Sequence, residues 1–211
     1  MTIRTPDRAA TGHQPGAPAG KIGPNAVIQL VEALRAAGLD AAMAPIFAEV
    51  GVRDWLRDPP TAMVDEAPVG RLHQAVRAAL APRPAAALMA DAGRRTADYL
   101  LAARIPQAVQ FLLRLLPSWL AARLLVAAIR AHAWTFAGSG RFIAKAGLPT
   151  RFVVMGNPLC AGEHANHPVC AWHAAVFERL FQALVAPSAQ AVETSCAACG
   201  DDVCSFAVTW R

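Results

Sequence analysis

Gly138-Ser-Gly-Arg-Phe-Ile-Ala-Lys-Ala-Gly-Leu-Pro-Thr-Arg-Phe-Val-Val-Met155 is the stretch whose reading decides the fold. Its two runs, 141–146 and 151–155, are short and rich in β-branched and aromatic residues, and the turn at Gly147–Pro149 separates them. That is the signature of paired strands. Upstream the texture is helical. A helix over 26–37 places Val27, Leu30, Val31 and Leu34 on one stripe, with Asn25 as its cap and Gly38 as its stop. Further helices are predicted over 41–50, ended by Gly51, over 68–80, carrying Val69, Leu72, Val76 and Leu80, and over 85–103. Asp58-Pro59-Pro60 makes a turn, and Pro82 and Pro84 close the segment that ends at Leu80. Pro106 and Pro117 sit where first-turn prolines belong, predicting helices 107–116 and 118–136. Downstream, Pro168 opens a helix to about residue 185 with Trp172, Val176, Leu180 and Leu184 inward, and strands follow at 189–194 and 203–210. Many helices followed by strand–strand–helix–strand–strand predict an α+β fold, with several N-terminal helices packed on a C-terminal antiparallel sheet. The expected organisation is a flexible arm over 1–24, a helical extension over 25–64 and a ligand-binding domain over 65–211.

Composition bounds what such a domain does. The chain has 211 residues, 55% hydrophobic and only 17% charged, against about 25% charged for an average soluble domain. It is too apolar for a disordered tail and long enough to bury a core. The net charge of +5 rests almost wholly on arginine, with Lys21 and Lys145 the only lysines. These cations form no tract, so nucleic acid is not the expected partner. Residues 1–20 lack the apolar region of a signal peptide, which predicts a cytoplasmic location where thiols stay reduced. The leucine-rich stretch 105–138 is broken by Arg114, Arg123 and Arg130 and cannot span a bilayer. Such a face can still lie at an interface, so membrane contact is at most peripheral.

All five cysteines, Cys160, Cys170, Cys196, Cys199 and Cys204, fall in the last quarter of the chain. The segment Glu193-Thr-Ser-Cys196-Ala-Ala-Cys199-Gly-Asp-Asp-Val-Cys204 gathers a carboxylate, three thiols and a turn glycine at the junction of two predicted strands. Cys170 heads the preceding helix, where the helix dipole favours a thiolate. Glu193, Cys196 and Cys204 from a hairpin, with Cys170 from the helix, can meet the tetrahedral demand of Zn²⁺. Other readings of the same cysteines are a redox Cys196-x-x-Cys199 pair, simple buried thiols and a disulfide.

Cys170 at a helix head, Glu193-x-x-Cys196 and Gly200-x-x-x-Cys204-x-Phe206 together resemble the signature of the four-vinyl-reductase domain family. Relatives of that domain serve as ligand-sensing modules of phenol- and xylene-responsive activators, and His167-Pro168-Val169-Cys170 is similar to the sensors' string. In the sensors the matching residues hold zinc, which implies Cys170, Glu193, Cys196 and Cys204 as structural zinc ligands here. Cys199 matches a cysteine that is not a ligand there, and is the substitute. This resemblance covers about residues 65–211. Over the whole chain, including Ala92-Gly93-Arg94-Arg95-Thr96, the similarity is to family members of bacteriochlorophyll synthesis. It implies a fold related to trafficking-complex subunits and haem nitric-oxide-binding domains, and a homodimer.

The family name implies reduction of the 8-vinyl group of a chlorophyll precursor. Vinyl reduction needs a hydride or electron source, and the chain has no strand-borne G-x-G-x-x-G; Gly138-Ser-Gly140 follows a helix and lacks the third glycine. A binding module suits the apolar composition better. The expectation is a zinc-stabilised domain that binds a magnesium-porphyrin intermediate and carries it between enzymes, with magnesium chelatase and the Mg-protoporphyrin methyltransferase as the partners the resemblance implies. The alternative is an 8-vinyl reductase using an external electron donor, and a third is an aromatic-responsive regulatory domain. A neutral histidine suits axial ligation of magnesium, and arginine suits propionate. Candidate pigment contacts are His132, Trp134, Phe136, Arg141, Phe142 and Phe152, with His164, His167 and His173 as further candidate axial ligands.

Overall fold

The computed structural model describes residues 20–210. The arm expected over 1–24 therefore lies mostly outside the described residues, but Gly20 to Pro24 are built into the fold. Lys21–Ile22 (β1) pairs antiparallel with Val64–Asp65 (β2), and Ile22 is fully buried. Six longer helices and one short one occupy the first two-thirds: Asn25–Ala36 (α1), Asp40–Glu49 (α2), Glu66–Ala78 (α3), Pro82–Ala103 (α4), Gln107–Leu115 (α5), Ser118–Ala131 (α6) and Trp134–Ala137 (α7). Then come Arg141–Lys145 (β3), Thr150–Met155 (β4), the helix Ala171–Leu184 (α8), Gln190–Ser195 (β5) and Cys204–Thr209 (β6). The four strands form one antiparallel sheet in the order β3-β4-β6-β5. This is the α+β arrangement expected from the sequence.

Most helices sit where the apolar period puts them, because one face of each is buried: Val27, Leu30, Val31 and Leu34 on α1, and Val69, Leu72 and Val76 on α3. Four boundaries differ. α4 begins at Pro82, not 85, so Pro82 and Pro84 stand in its first turn, where proline is tolerated, and do not close the preceding segment. The helix expected over 118–136 breaks after Ala131, and α7 starts anew at Trp134. α3 begins at Glu66 because the side chain of Asp65 accepts a hydrogen bond from Ala67 N at 2.9 Å. α8 starts at Ala171, not Pro168: Cys170, at φ −91° and ψ 34°, lies outside the helical region, and its N–H donates to Glu193 Oε2 at 2.9 Å.

The core lies between the sheet and α8, and between α8 and α4. Alternate residues Phe152 and Val154 of β4, and Cys204, Phe206 and Val208 of β6, face inward as strand periodicity requires. Phe152 stacks on Phe177 of α8 with centroids 4.2 Å apart, and Phe142, Phe181 and Phe206 complete an aromatic layer. On the other face of α8, α4 approaches through small residues, Ala92, Gly93, Thr96 and Ala97. A Cβ at Gly93 would lie 2.3 Å from the carbonyl oxygen of Trp172, so only glycine admits this closeness. One continuous cluster of buried residues runs from α1 through α4 and α8 to β6.

Candidate metal centre

Cys170 is the last residue before α8, Glu193 lies on β5, Cys196 follows β5, and Cys204 begins β6. In a regular strand, residues three apart point to opposite faces. An irregularity between Glu193 and Ser195 resets this alternation, so that Glu193 and Cys196 reach the same side. A short 3₁₀ turn, Ala197–Cys199, then leads to Gly200, whose φ of 95° only glycine adopts readily. Asp201 Oδ2 accepts from Cys196 N at 2.7 Å and closes the turn. One ligand atom from each of Cys170, Glu193, Cys196 and Cys204 lies within 4.8 Å of all the others. Cys170 Sγ and Cys204 Sγ are 3.5 Å apart, near the ~3.8 Å edge of a tetrahedron with Zn–S bonds of about 2.3 Å.

The electrostatics of the four fit a cation. Glu193 Oε1 is buried and has no hydrogen-bond partner. Burial, reinforced by the hydrogen bond with Cys196, pushes its carboxyl up to about 8. Hydrogen bonds with its neighbours Cys160, Cys196 and Cys204, together with burial, raise the Cys170 thiol well above its ordinary value. The bond with Cys170 brings Cys196 down to about 5, against the effect of burial. Thiols and a carboxyl packed this closely compete for protons, and a divalent cation that displaces those protons relieves the competition. The residues therefore fit a metal ion with a Cys₃Glu donor set.

A V4R domain model matches residues 150–209, which hold all four donors. Over 188 residues, 89% of the chain, the sequence is 45% identical to the bacteriochlorophyll synthase 23 kDa chain of Cereibacter sphaeroides, covering 90% of that protein. It is 41% identical over 186 residues, 88% of the chain, to the protein of the same name from Rhodobacter capsulatus, covering 85% of it. The chain belongs to this V4R-domain family. Kinship over nearly the full length with chains so named supports a role in bacteriochlorophyll biosynthesis.

Two residues of the V4R domain that the sequence did not single out complete the surroundings of the site. Asn157 is buried; its Nδ2 donates to Cys170 Sγ at 3.3 Å and Cys204 Sγ at 3.5 Å, while its Oδ1 accepts from Leu159 N. Cys160 Sγ lies 3.6 Å from Cys204 Sγ and 3.9 Å from Cys170 Sγ. Both are brought in by the 3₁₀ turn Pro158–Cys160, which carries no periodic signal. Cys199, the expected substitute, is exposed and not among the four grouped donors.

The six candidate pigment contacts are not brought into one pocket. His132, Trp134 and Arg141 are exposed, whereas Phe136, Phe142 and Phe152 join the aromatic layer under α8. His173 is buried beside Phe136, with both ring nitrogens unpartnered, and lines a cavity of about 70 Å³ with Trp172 and Thr96. That volume is too small for a macrocycle. A larger cleft, about 610 Å³, lies between α3, the start of α4 and the loop 161–169, and both His164 and His167 line it. Gln74 Nε2 donates to Ala161 O at 3.1 Å, Arg77 pairs with Glu163, and Ala165 N donates to Ala198 O at 2.8 Å. The loop is thus fixed on one side to α3 and on the other to the cysteine turn.

Proposed function

We propose that the protein binds a magnesium-porphyrin intermediate of bacteriochlorophyll synthesis and carries it between pathway enzymes. The observation that supports this reading is the 610 Å³ cleft beside the metal centre, a volume within the usual range for ligand sites of about 300–1,000 Å³. Its apolar wall includes Leu80, Pro82 and Val169, and His164 and His167 stand on the rigid loop that closes it. A neutral imidazole there supplies the axial ligand that magnesium accepts. Cys170, Glu193, Cys196 and Cys204 would hold zinc, which supplies a redox-inert cross-link between α8 and the β5–β6 hairpin. Those four residues fix the loop that carries the histidines, because Pro168 and Val169 lead directly into Cys170. Magnesium chelatase and the Mg-protoporphyrin methyltransferase are the proposed donor and acceptor. The protein works as a homodimer in the cytoplasm, at the membrane periphery.

Titration of the purified protein with magnesium protoporphyrin, followed by the Soret band, tests this. Wild type shifts the band, and His164→Ala or His167→Ala weakens binding about tenfold or more. Conversion of divinyl to monovinyl pigment with NADPH or reduced ferredoxin would refute carriage in favour of vinyl reduction.

A further inference from the structure

Across residues 99–162 the chain contains no aspartate or glutamate, yet it carries seven cationic side chains, from Arg104 to Arg151. The rest of the chain therefore has a net charge of −2 within the total of +5. The cations are spaced about ten apart and make no tract in the sequence, but α5 and α6, with the turn before them, gather four: Arg104, Arg114, Arg123 and Arg130.

The same two helices are arranged unlike helices that face water. On α5 the buried positions are Gln110 and Leu113. Gln110 Nε2 donates to Leu101 O at 2.6 Å and Ile105 O at 2.8 Å, holding α5 to the end of α4. Turning by 100° per residue, the positions opposite Gln110 and Leu113 are Ala108, Phe111, Leu112 and Leu115. Phe111 is 65% exposed, Leu112 55% and Leu115 67%. The glutamine thus faces the protein, and the phenylalanine and leucines face outward. On the next helix, α6, Trp119 (58%) and Leu124 (46%) are exposed as well, and the Arg123 guanidinium lies 5.2 Å from the centre of the Trp119 ring.

We infer that the consecutive helices α5 and α6 form a docking surface for an anionic lipid bilayer. Its outward apolar stripe enters the boundary between headgroups and acyl chains, Trp119 lies at headgroup level, and Arg104, Arg123 and Arg130 pair with lipid phosphates, while Arg114 is held to the protein by Ala183 O and Gln110 Oε1. The absence of acidic residues removes the repulsion that would oppose this approach. A second copy of the chain is the poorer occupant, because a self-complementary contact would press these arginines against one another. The inference rests on the membrane-periphery part of the proposed function and is independent of the pigment part.

Cosedimentation of the full chain with vesicles of 1:1 phosphatidylglycerol and phosphatidylcholine, compared with pure phosphatidylcholine, tests it. One basic residue near an anionic surface is worth about fivefold in affinity. Wild type should bind anionic vesicles at least tenfold more tightly, and 0.5 M salt should remove most of that preference. Leu112→Ser with Leu115→Ser weakens binding to anionic vesicles about tenfold or more, and Arg123→Gln with Arg130→Gln lowers the preference for anionic vesicles by about tenfold or more. Each variant is checked for wild-type circular dichroism and unchanged magnesium-protoporphyrin binding, so that failure of pigment carriage and failure of docking are told apart. Equal binding to both vesicles, wild-type binding by a folded variant of either kind, or self-association through this face with no vesicle binding would overturn the inference.

Discussion

Gly93→Ala isolates the contact that sets the position of α8. The added Cβ would lie 2.3 Å from Trp172 O and 2.9 Å from Ala175 Cβ, where ordinary contact begins at 3.4 Å. Since the nearest atom is backbone, no side chain can swing aside, and α4 and α8 must part by about 1 Å. A gap of that size forfeits a quarter to a half of each dispersion contact, and a few dozen contacts at about 0.1–0.2 kcal/mol put the loss near 3 kcal/mol. Alanine returns about 1 kcal/mol in helix propensity, leaving a net loss of about 2 kcal/mol. For a chain of this length that lowers Tm by about 4–8 °C, measurable by thermal and urea unfolding followed by circular dichroism. Ala87→Gly, on the exposed face of the same helix, calibrates the propensity term and should cost about 1 kcal/mol alone. Because Cys170 precedes Trp172 by two residues, Gly93→Ala should also yield its metal to a chelator sooner. A midpoint equal to or above wild type would show that α4 and α8 can separate without cost, and would refute the reasoning.

Cys196→Ser and Cys204→Ser should each lose bound metal by elemental analysis and lower stability by several kcal/mol, while Cys199→Ser keeps the metal; equal metal in all three contradicts the ligand assignment. Arg77→Ala breaks a largely buried ion pair with Glu163 and removes the donor to Leu159 O. It should cost about 3–5 kcal/mol and weaken pigment binding through the loosened loop, read by urea unfolding and Soret titration. His73 is fully buried, and burial, with the Arg77 charge adding to it, lowers its pKa to about 3. Its folded value lies below the unfolded one, so its stabilising contribution is complete above about pH 6.5 and is lost as pH falls through about 3. Wild type should therefore lose about 3 kcal/mol more than His73→Gln between pH 7 and pH 4, and parallel pH–stability curves would contradict this.

The sheet was legible because inward and outward residues alternate on β4 and β6, and the helices because their apolar stripes are wide and their ends are marked by Gly38, Gly51, Pro106 and Pro117. The clustering of the candidate metal donors was legible because Glu193, Cys196 and Cys204 fall within twelve residues. Cys160 and Asn157 were not, since a 3₁₀ turn carries no period and its approach to Cys204 depends on how β4 pairs with β6. Phe136, Phe142 and Phe152 form the core layer because an aromatic side chain gains as much from packing on Phe177 as from a ligand face, and composition cannot separate the two. The cleft lined by His164 and His167 was hidden for a different reason: its walls, α3 and the loop 161–169, are some ninety residues apart and meet only through Gln74, Arg77 and Glu163.

The order β3-β4-β6-β5 has a consequence for how the chain is made. β6 follows every other strand in sequence, yet it lies inside the sheet, with β4 on one side and β5 on the other. Until residues 204–209 have left the ribosome, β5 has no neighbour in the sheet and the pocket of sulfur atoms lacks Cys204. Helices α1 to α7 can form earlier, since their main packing partners precede residue 185, whereas α8 still lacks the β5 and β6 residues it packs against, Phe206 among them. Loading of the proposed metal would thus wait for the last stage of synthesis, and a nascent chain stalled before β6 would present the open edges of β4 and β5 to chaperones and proteases.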